Sequence, residues 1–199
     1  MSLLQRLRNF RRGLTLRWGS PHAKERIWNQ EFASGRWACL EFTQGDCLYP
    51  ILEKYAGGGD ILDLGCGSGN TGNELDLTAY HRLVGVDISA EAVRQADERS
   101  RLNRRADKNT YLRGDIETFV PGQRFRVILF RESIYYVPVL KVKPMLQRYR
   151  AFLDNRGVFI ARFYDRHAST AILGLIEKHF SVLERYADPD GKTVVLVFR

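Results

Sequence analysis

Apolar residues fall into two kinds of run along this chain, and their alternation predicts its architecture. Short runs rich in Ile, Leu, Val and Phe recur at about 60–65, 82–87, 110–114, 125–130 and 157–163. They are bounded by Gly, Asp or Asn and are too short for helices, so each reads as a buried strand. Between them, segments such as Ala90–Asn103 and Lys143–Leu153 carry apolar residues three and four apart and read as helices. Strands that are apolar throughout and separated by helices predict a parallel sheet covered on both faces. The pattern changes at the end, where Phe180–Tyr186 and Thr193–Phe198 flank the turn sequence Asp188-Pro189-Asp190-Gly191. Two strands joined directly by a turn pair antiparallel. Upstream of the first strand, about Asp46 to Tyr55 reads as a helix ending in Gly57-Gly58-Gly59. Leu3, Leu4, Leu7, Phe10 and Leu14 stand near helical spacing among arginines.

Composition narrows the class. The 199 residues, 44% of them hydrophobic, suffice for one domain with a real core. No apolar run reaches the length of a membrane span. Cys39, Cys47 and Cys66 are odd in number and form no Cys-x-x-Cys pair, which points to a reducing, cytoplasmic setting without a disulfide framework or zinc site. The net charge of +8 is uneven: residues 1–26 carry seven basic residues against one acid, and the other 173 carry 24 against 22. The chain therefore divides into a basic amphipathic arm, 1–44, and a nearly neutral body, 45–199. The arm has three readings: a helix packed on its own domain or a basic tail, a peripheral membrane contact through residues 1–18, or an Arg-rich transit segment. Nucleic acid is a less favoured partner, because the body is almost neutral. The oligomeric state is left open.

The candidate chemistry lies in residues 60–89. Strand one runs into Gly65-Cys66-Gly67-Ser68-Gly69, and strand two ends on Asp87. Glycines let the backbone turn sharply and approach a ligand, and an acid after the second strand can accept from ribose hydroxyls. Gly67-x-Gly69-x-x-Gly72 formally fits a dinucleotide fingerprint. Asp63 argues against that reading, since a carboxylate before the loop repels a pyrophosphate and suits an ammonium or sulfonium. Cys66 reads as a small residue required by the loop.

The block Asp63-x-Gly65-x-Gly67-x-Gly69 with Asp87 resembles the class I S-adenosylmethionine-dependent methyltransferases over about residues 45–199. The resemblance implies an α/β, Rossmann-like seven-stranded sheet of order 3-2-1-4-5-7-6, strand 7 antiparallel, with helices on both faces. It implies S-adenosylmethionine as cofactor and S-adenosylhomocysteine as product. It places Asp63 at the amino group, Gly65, Gly67 and Gly69 along the methionine and ribose, Asp87 on the ribose, Ile88 on the adenine face, and Asp115 and Ile116 at the adenine edge. Arg131 joins the cofactor-binding set. Glu132, Tyr135 and Tyr136, with the short chain and the terminal Phe198-Arg199, are similar to the nodulation-type N-methyltransferases, which act on an amino sugar of a chito-oligosaccharide.

From this follow expectations about the reaction. Glu132 is the first candidate for a base and Tyr135 for orienting the acceptor, with ion pairing and ordinary packing as their structural alternatives; His167 is the other candidate base. No metal set is complete around Asp165. No capping domain is inserted, so Trp28, Phe32, Arg36 and Trp37 are candidates for a lid. The acceptor is expected to be an amine or hydroxyl of a small molecule or saccharide. An RNA or protein acceptor, met by the arm and by Arg99, Arg101, Arg104 and Arg105, is the alternative, and a cofactor-binding protein without activity ranks last.

Overall fold

A computed structural model describes residues 3–38, 43 and 45–199; the side chains of Leu3 and Leu4 are not among those described. Cys39 and Gln44, the last residue of the arm, thus lie outside the described set. Seven strands form one sheet: β1 (Ile61–Leu64), β2 (Leu83–Asp87), β3 (Asn109–Arg113), β4 (Phe125–Arg131), β5 (Leu153–Phe163), β6 (Val182–Ala187) and β7 (Val194–Phe198). Their order is β3-β2-β1-β4-β5-β7-β6, with β7 antiparallel to both neighbours and the other neighbouring pairs parallel. This is the sheet that the sequence resemblance implies.

The apolar strands are explained by burial on both faces. In β4, Ile128 and Phe130 belong to a cluster with Val142, Leu146 and Ile176. Val127 and Leu129 belong to another with Leu48, Leu52 and Leu83. Helices α6 (Val139–Arg150) and α7 (Thr170–His179) cover the first face; α3 (Leu48–Ala56) and α5 (Ala90–Leu102) cover the second, and the short α4 (Asn70–Glu74) follows the glycine loop after β1. Alternate residues therefore meet apolar partners on either side, which gives the continuous run in the sequence.

Two boundaries differ by four residues from the sequence reading. Helix α6 begins at Val139, before the expected Lys143, and holds Pro144 inside it. The carbonyl deprived of a donor by that proline belongs to Leu140, which is exposed, so water can satisfy it. Strand β5 begins at Leu153, before the expected Gly157, because Leu153 already pairs with Phe125. The register then shifts, and Val158 pairs with Val127.

The arm is two helices, α1 (Leu3–Trp18) and α2 (Pro21–Ala33). They break at Gly19-Ser20, where the Ser20 hydroxyl accepts from the Ala23 N–H at 3.3 Å and Pro21 takes the first turn. Helix α2 packs on α5, with Asn29 Oδ1 2.8 Å from Ser89 Oγ and accepting from the Glu91 N–H at 3.2 Å. The arm is thus docked on the body by specific contacts.

Candidate active site

A cavity of about 490 Å³ lies at the carboxyl ends of β1, β2, β4 and β5 and is roofed by α1 and α2. Its floor is the loop after β1. Gly65 and Gly69 hold φ of +82° and +79°, a region that side chains strain to adopt. A Cβ on Gly65 would lie 2.4 Å from Ser133 Cβ, and one on Gly69 would lie 2.8 Å from Ala96 Cβ. Gly67 lies between them under Phe32, whose ring closes on the loop from above.

Asp63 is 1% exposed, and its Oδ1 meets no hydrogen-bond partner among the described residues. Burial pushes its carboxyl up to about 6, against the opposing pull of the Thr71 hydrogen bond and the Arg131 charge. A buried acid on a cavity wall with an open acceptor is costly unless the cavity delivers a cation or donor. Asp87 ends β2 and accepts from the Gly67 N–H at 3.0 Å and the Ser89 N–H at 2.9 Å. Burial pushes it, too, up to about 6, while those backbone donors oppose the rise. The amides fix the carboxylate at the cavity wall beside Ile88. An ammonium at Asp63, a vicinal diol at Asp87 and a backbone cradle between them match the parts of S-adenosylmethionine. Asp115 and Ile116 line the same cavity. Asp115 Oδ1 also accepts from the Glu117 N–H at 2.8 Å, so it caps its turn. Cys66 is buried, which pushes its thiol well up and leaves it unreactive.

The opposite end of the cavity is a closed set of charges. Arg131 and Arg162 are register partners near the ends of β4 and β5. Arg131 donates to Tyr49 Oη at 2.9 Å and Asp46 Oδ2 at 3.2 Å. Its guanidinium is therefore directed at α3 and the residues before it, and reaches Asp63 only through its charge. Arg131 lines the cavity. Arg162 lies 3.1 Å from the same Asp46 oxygen and 2.5 Å from Glu132 Oε1. Glu132 Oε2 accepts from Tyr135 Oη at 2.9 Å and from the Tyr164 N–H at 2.9 Å. The carboxylate expected as a free base is thus partnered at both oxygens. Tyr135 remains a phenol, because burial and the Glu132 charge raise its pKa.

Aromatic rings enclose this end. Trp28 meets Tyr136 edge-on, with centroids 5.0 Å apart and planes at 90°, and lies 5.8 Å from Trp37. Trp37 Nε1 donates to Glu31 Oε2 at 3.1 Å, and Glu31 also binds the Arg12 guanidinium. Of the residues expected in a lid, Trp28, Phe32 and Trp37 line the cavity. Arg36 is exposed and lies over the Trp37 ring. His167, the other candidate base, is exposed and lies outside the cavity lining, with its backbone N–H donating to Asp165 Oδ1.

The sequence reading missed Lys24, Asp46 and Arg162. Lys24 is buried on α2 and pairs with Glu117, which Lys141 also contacts at 2.8 Å. No local pattern marks Lys24 or Asp46. Arg162 had a signal: two neighbouring apolar strands each carry an arginine at the same register.

Comparison with known proteins agrees with this architecture. Residues 61–157 match a family described as a methyltransferase domain. The chain is 30% identical over 150 residues to a ribosomal protein L11 methyltransferase of Desulfitobacterium hafniense, covering 73% of this chain and 45% of that one. It is 23% identical over 121 residues to a 27-O-demethylrifamycin SV methyltransferase of Amycolatopsis mediterranei, covering 57% and 44%. The chain thus spans less than half the length of these curated relatives. Among solved structures, the N-methyltransferase NodS of Bradyrhizobium japonicum WM9, in complex with S-adenosylhomocysteine, aligns with a TM-score of 0.69 at 17% identity, covering 88% of this chain and 97% of that one.

Proposed function

We propose that this chain is a class I S-adenosylmethionine-dependent methyltransferase that methylates an amine of a small-molecule or saccharide acceptor. S-adenosylmethionine, when bound, supplies a methyl group on a cationic sulfur. The chain's own residues bind, orient and enclose. Asp63 pairs with the ammonium of the methionine tail, and Asp87 accepts from the ribose hydroxyls. Asp115, Ile116 and Ile88 hold the base. Trp28, Phe32 and Trp37 exclude water, so that nucleophile and methyl meet in a dry, oriented pair.

The observation that carries the acceptor class is the enclosed aromatic end of the cavity, with Trp28, Trp37, Tyr135 and Tyr136 around one group of polar contacts. Flat rings suit a sugar or ring face, and the roof of α1 and α2 leaves room for a small group. The partnered state of Glu132 favours an amine over a hydroxyl. A hydroxyl must lose its proton as it attacks and needs a free base. An amine that enters neutral attacks with its lone pair, takes the methyl and the positive charge, and releases a proton to water afterwards. Tyr135 Oη donates to Glu132 and keeps lone pairs to accept the amine's N–H. The similarity to the nodulation-type enzymes at Glu132, Tyr135 and Tyr136 points the same way.

A protein or RNA acceptor is the second reading, favoured by the exposed arginines of α1 and by the name of the ribosomal-protein relative. The helix α5 cluster does not add to it. Arg99 contacts Glu74 at 3.3 Å, Arg101 pairs with Asp97 at 2.8 Å, and Arg105 donates to the Leu75 carbonyl at 2.6 Å.

The test is methyl-labelled S-adenosylmethionine offered with three panels: amino sugars and small amines, ribosomal proteins, and total RNA. Label in an amine of the first panel supports the proposal. Label only in protein or RNA overturns the acceptor class.

A further inference from the structure

Helix α1 presents its apolar side to solvent. Leu7, Phe10, Leu14 and Trp18 are 51%, 66%, 47% and 61% exposed. Their spacing of three or four residues puts them on one stripe, about 17 Å long from Leu7 to Trp18 at the helical rise. The opposite side holds Leu16, which is buried and lines the cavity, and Arg12, which pairs with Glu31. The usual amphipathic order, apolar side toward the domain, is therefore reversed.

The rim of the stripe is cationic. Arg6, Arg8 and Arg11 are exposed, and the helix contains no acid; Arg17, also exposed, donates to the Tyr135 carbonyl at 3.4 Å and faces the domain. Those charges decide what can cover the stripe. A second copy laid on the same face would bring two arginine rims together and be repelled. Arginines can lay their apolar stems beside such a stripe and extend their heads to phosphates, and Phe and Trp suit the boundary between headgroups and acyl chains. Among the described residues no helix is long and apolar enough to cross a membrane, so the contact would be with the surface. We propose that α1 docks this protein on an anionic lipid surface, with Leu7, Phe10, Leu14 and Trp18 inserted and the arginines on the headgroups. The stripe lies across α1 from the cavity, so its test is separate from any test of methyl transfer.

The experiment is co-flotation of the full chain with vesicles of phosphatidylcholine alone and of phosphatidylcholine with about 30% phosphatidylglycerol, which supplies the negative surface potential. Binding is expected to the anionic vesicles only, weakening steeply with salt. It should weaken roughly fivefold for each of Arg6, Arg8 and Arg11 replaced by Gln. The triple variant Leu7→Gln, Phe10→Gln, Leu14→Gln should lose it while binding S-adenosylmethionine as the parent does, which reports an intact fold. Three results would overturn the proposal: no flotation with anionic vesicles at low salt, flotation unchanged in the triple variant, or a dimer in sedimentation that the triple variant abolishes. Capture of an acidic amphipathic peptide without flotation would assign the stripe to a protein partner instead and equally overturn it.

Discussion

Glu132 and Arg162 meet across the carboxyl ends of β4 and β5, Oε1 to Nη1, at 2.5 Å. Arg162 also holds Asp46, so one cation serves two carboxylates beside the cavity. This ties the residue at the acceptor end to the neighbouring strand and gives each of its carboxylate oxygens a partner. Replacing Glu132 with Gln should keep its contacts with Tyr135 and the Tyr164 N–H. We predict that Glu132→Gln lowers kcat about tenfold and leaves the pH–rate profile governed by the acceptor's own ammonium. A loss of about 10²–10⁴ with disappearance of the acid limb is what a true base would show. Steady-state rates across pH separate the two.

Glu132 also carries a φ of +55°, which costs a residue with a Cβ about 1–2 kcal/mol. Its contacts to Arg162, Tyr135 and Tyr164 hold it there. Once those contacts are removed, only the backbone preference remains. Glu132→Gly is therefore expected to be more stable than Glu132→Ala by about 1 kcal/mol in urea unfolding. Equal stability would mean that the strain is relaxed elsewhere.

Asp63 gives a prediction with a pH sign. In the folded, ligand-free chain its carboxyl sits at about 6, because burial disfavours the charge. In the unfolded chain it titrates near 4. Between those values the folded state holds more protons, so stability falls as pH rises through the window. Asp87 contributes in the same direction. Asp63→Asn should therefore raise the melting temperature of the ligand-free protein at pH 7.5, by a stability on the order of 2–3 kcal/mol, and have little effect at pH 4.5. The same change should weaken S-adenosylmethionine binding at least tenfold, because the ammonium loses its counter-charge. In the parent protein, affinity should fall as pH drops below about 6, where Asp63 takes up a proton. Calorimetric titration at several pH values and thermal unfolding without ligand check both halves.

The roof can be tested by removing it. Helices α1 and α2 contribute Leu16, Lys24, Trp28 and Phe32 to the cavity but no strand to the sheet. Deleting residues 1–37 should leave far-UV circular dichroism of a folded α/β domain and abolish turnover. Full activity in the truncated chain would show that the roof is dispensable.

A milder probe is Lys24→Met, which unfastens α2 from Glu117 while Lys141 still neutralises that acid. Release of S-adenosylhomocysteine in stopped flow should quicken about tenfold, the effect of losing one charged latch of about 1.4 kcal/mol. An unchanged release rate would place the latch elsewhere on α2.

The sequence by itself determined the sheet and which residues gather at the β1 and β2 end of the cavity. Those features are local or periodic: five apolar runs, a glycine loop flanked by Asp63, and Asp87 at a strand end each declare themselves within a few residues, because backbone conformation and burial act at short range. Only the tertiary structure decided what Glu132 meets, what Arg131 faces and which residues roof the cavity. Glu132 meets Arg162 thirty residues on, Arg131 meets Asp46, and Lys24 meets Glu117. A charged side chain can pair with any opposite charge that the fold brings near, so its partner is set by the packing of distant elements. The reversed face of α1 was hidden for the same reason. An amphipathic pattern states that a helix has an apolar side, and only the docked contacts of Arg12 and Leu16 state which side meets the domain.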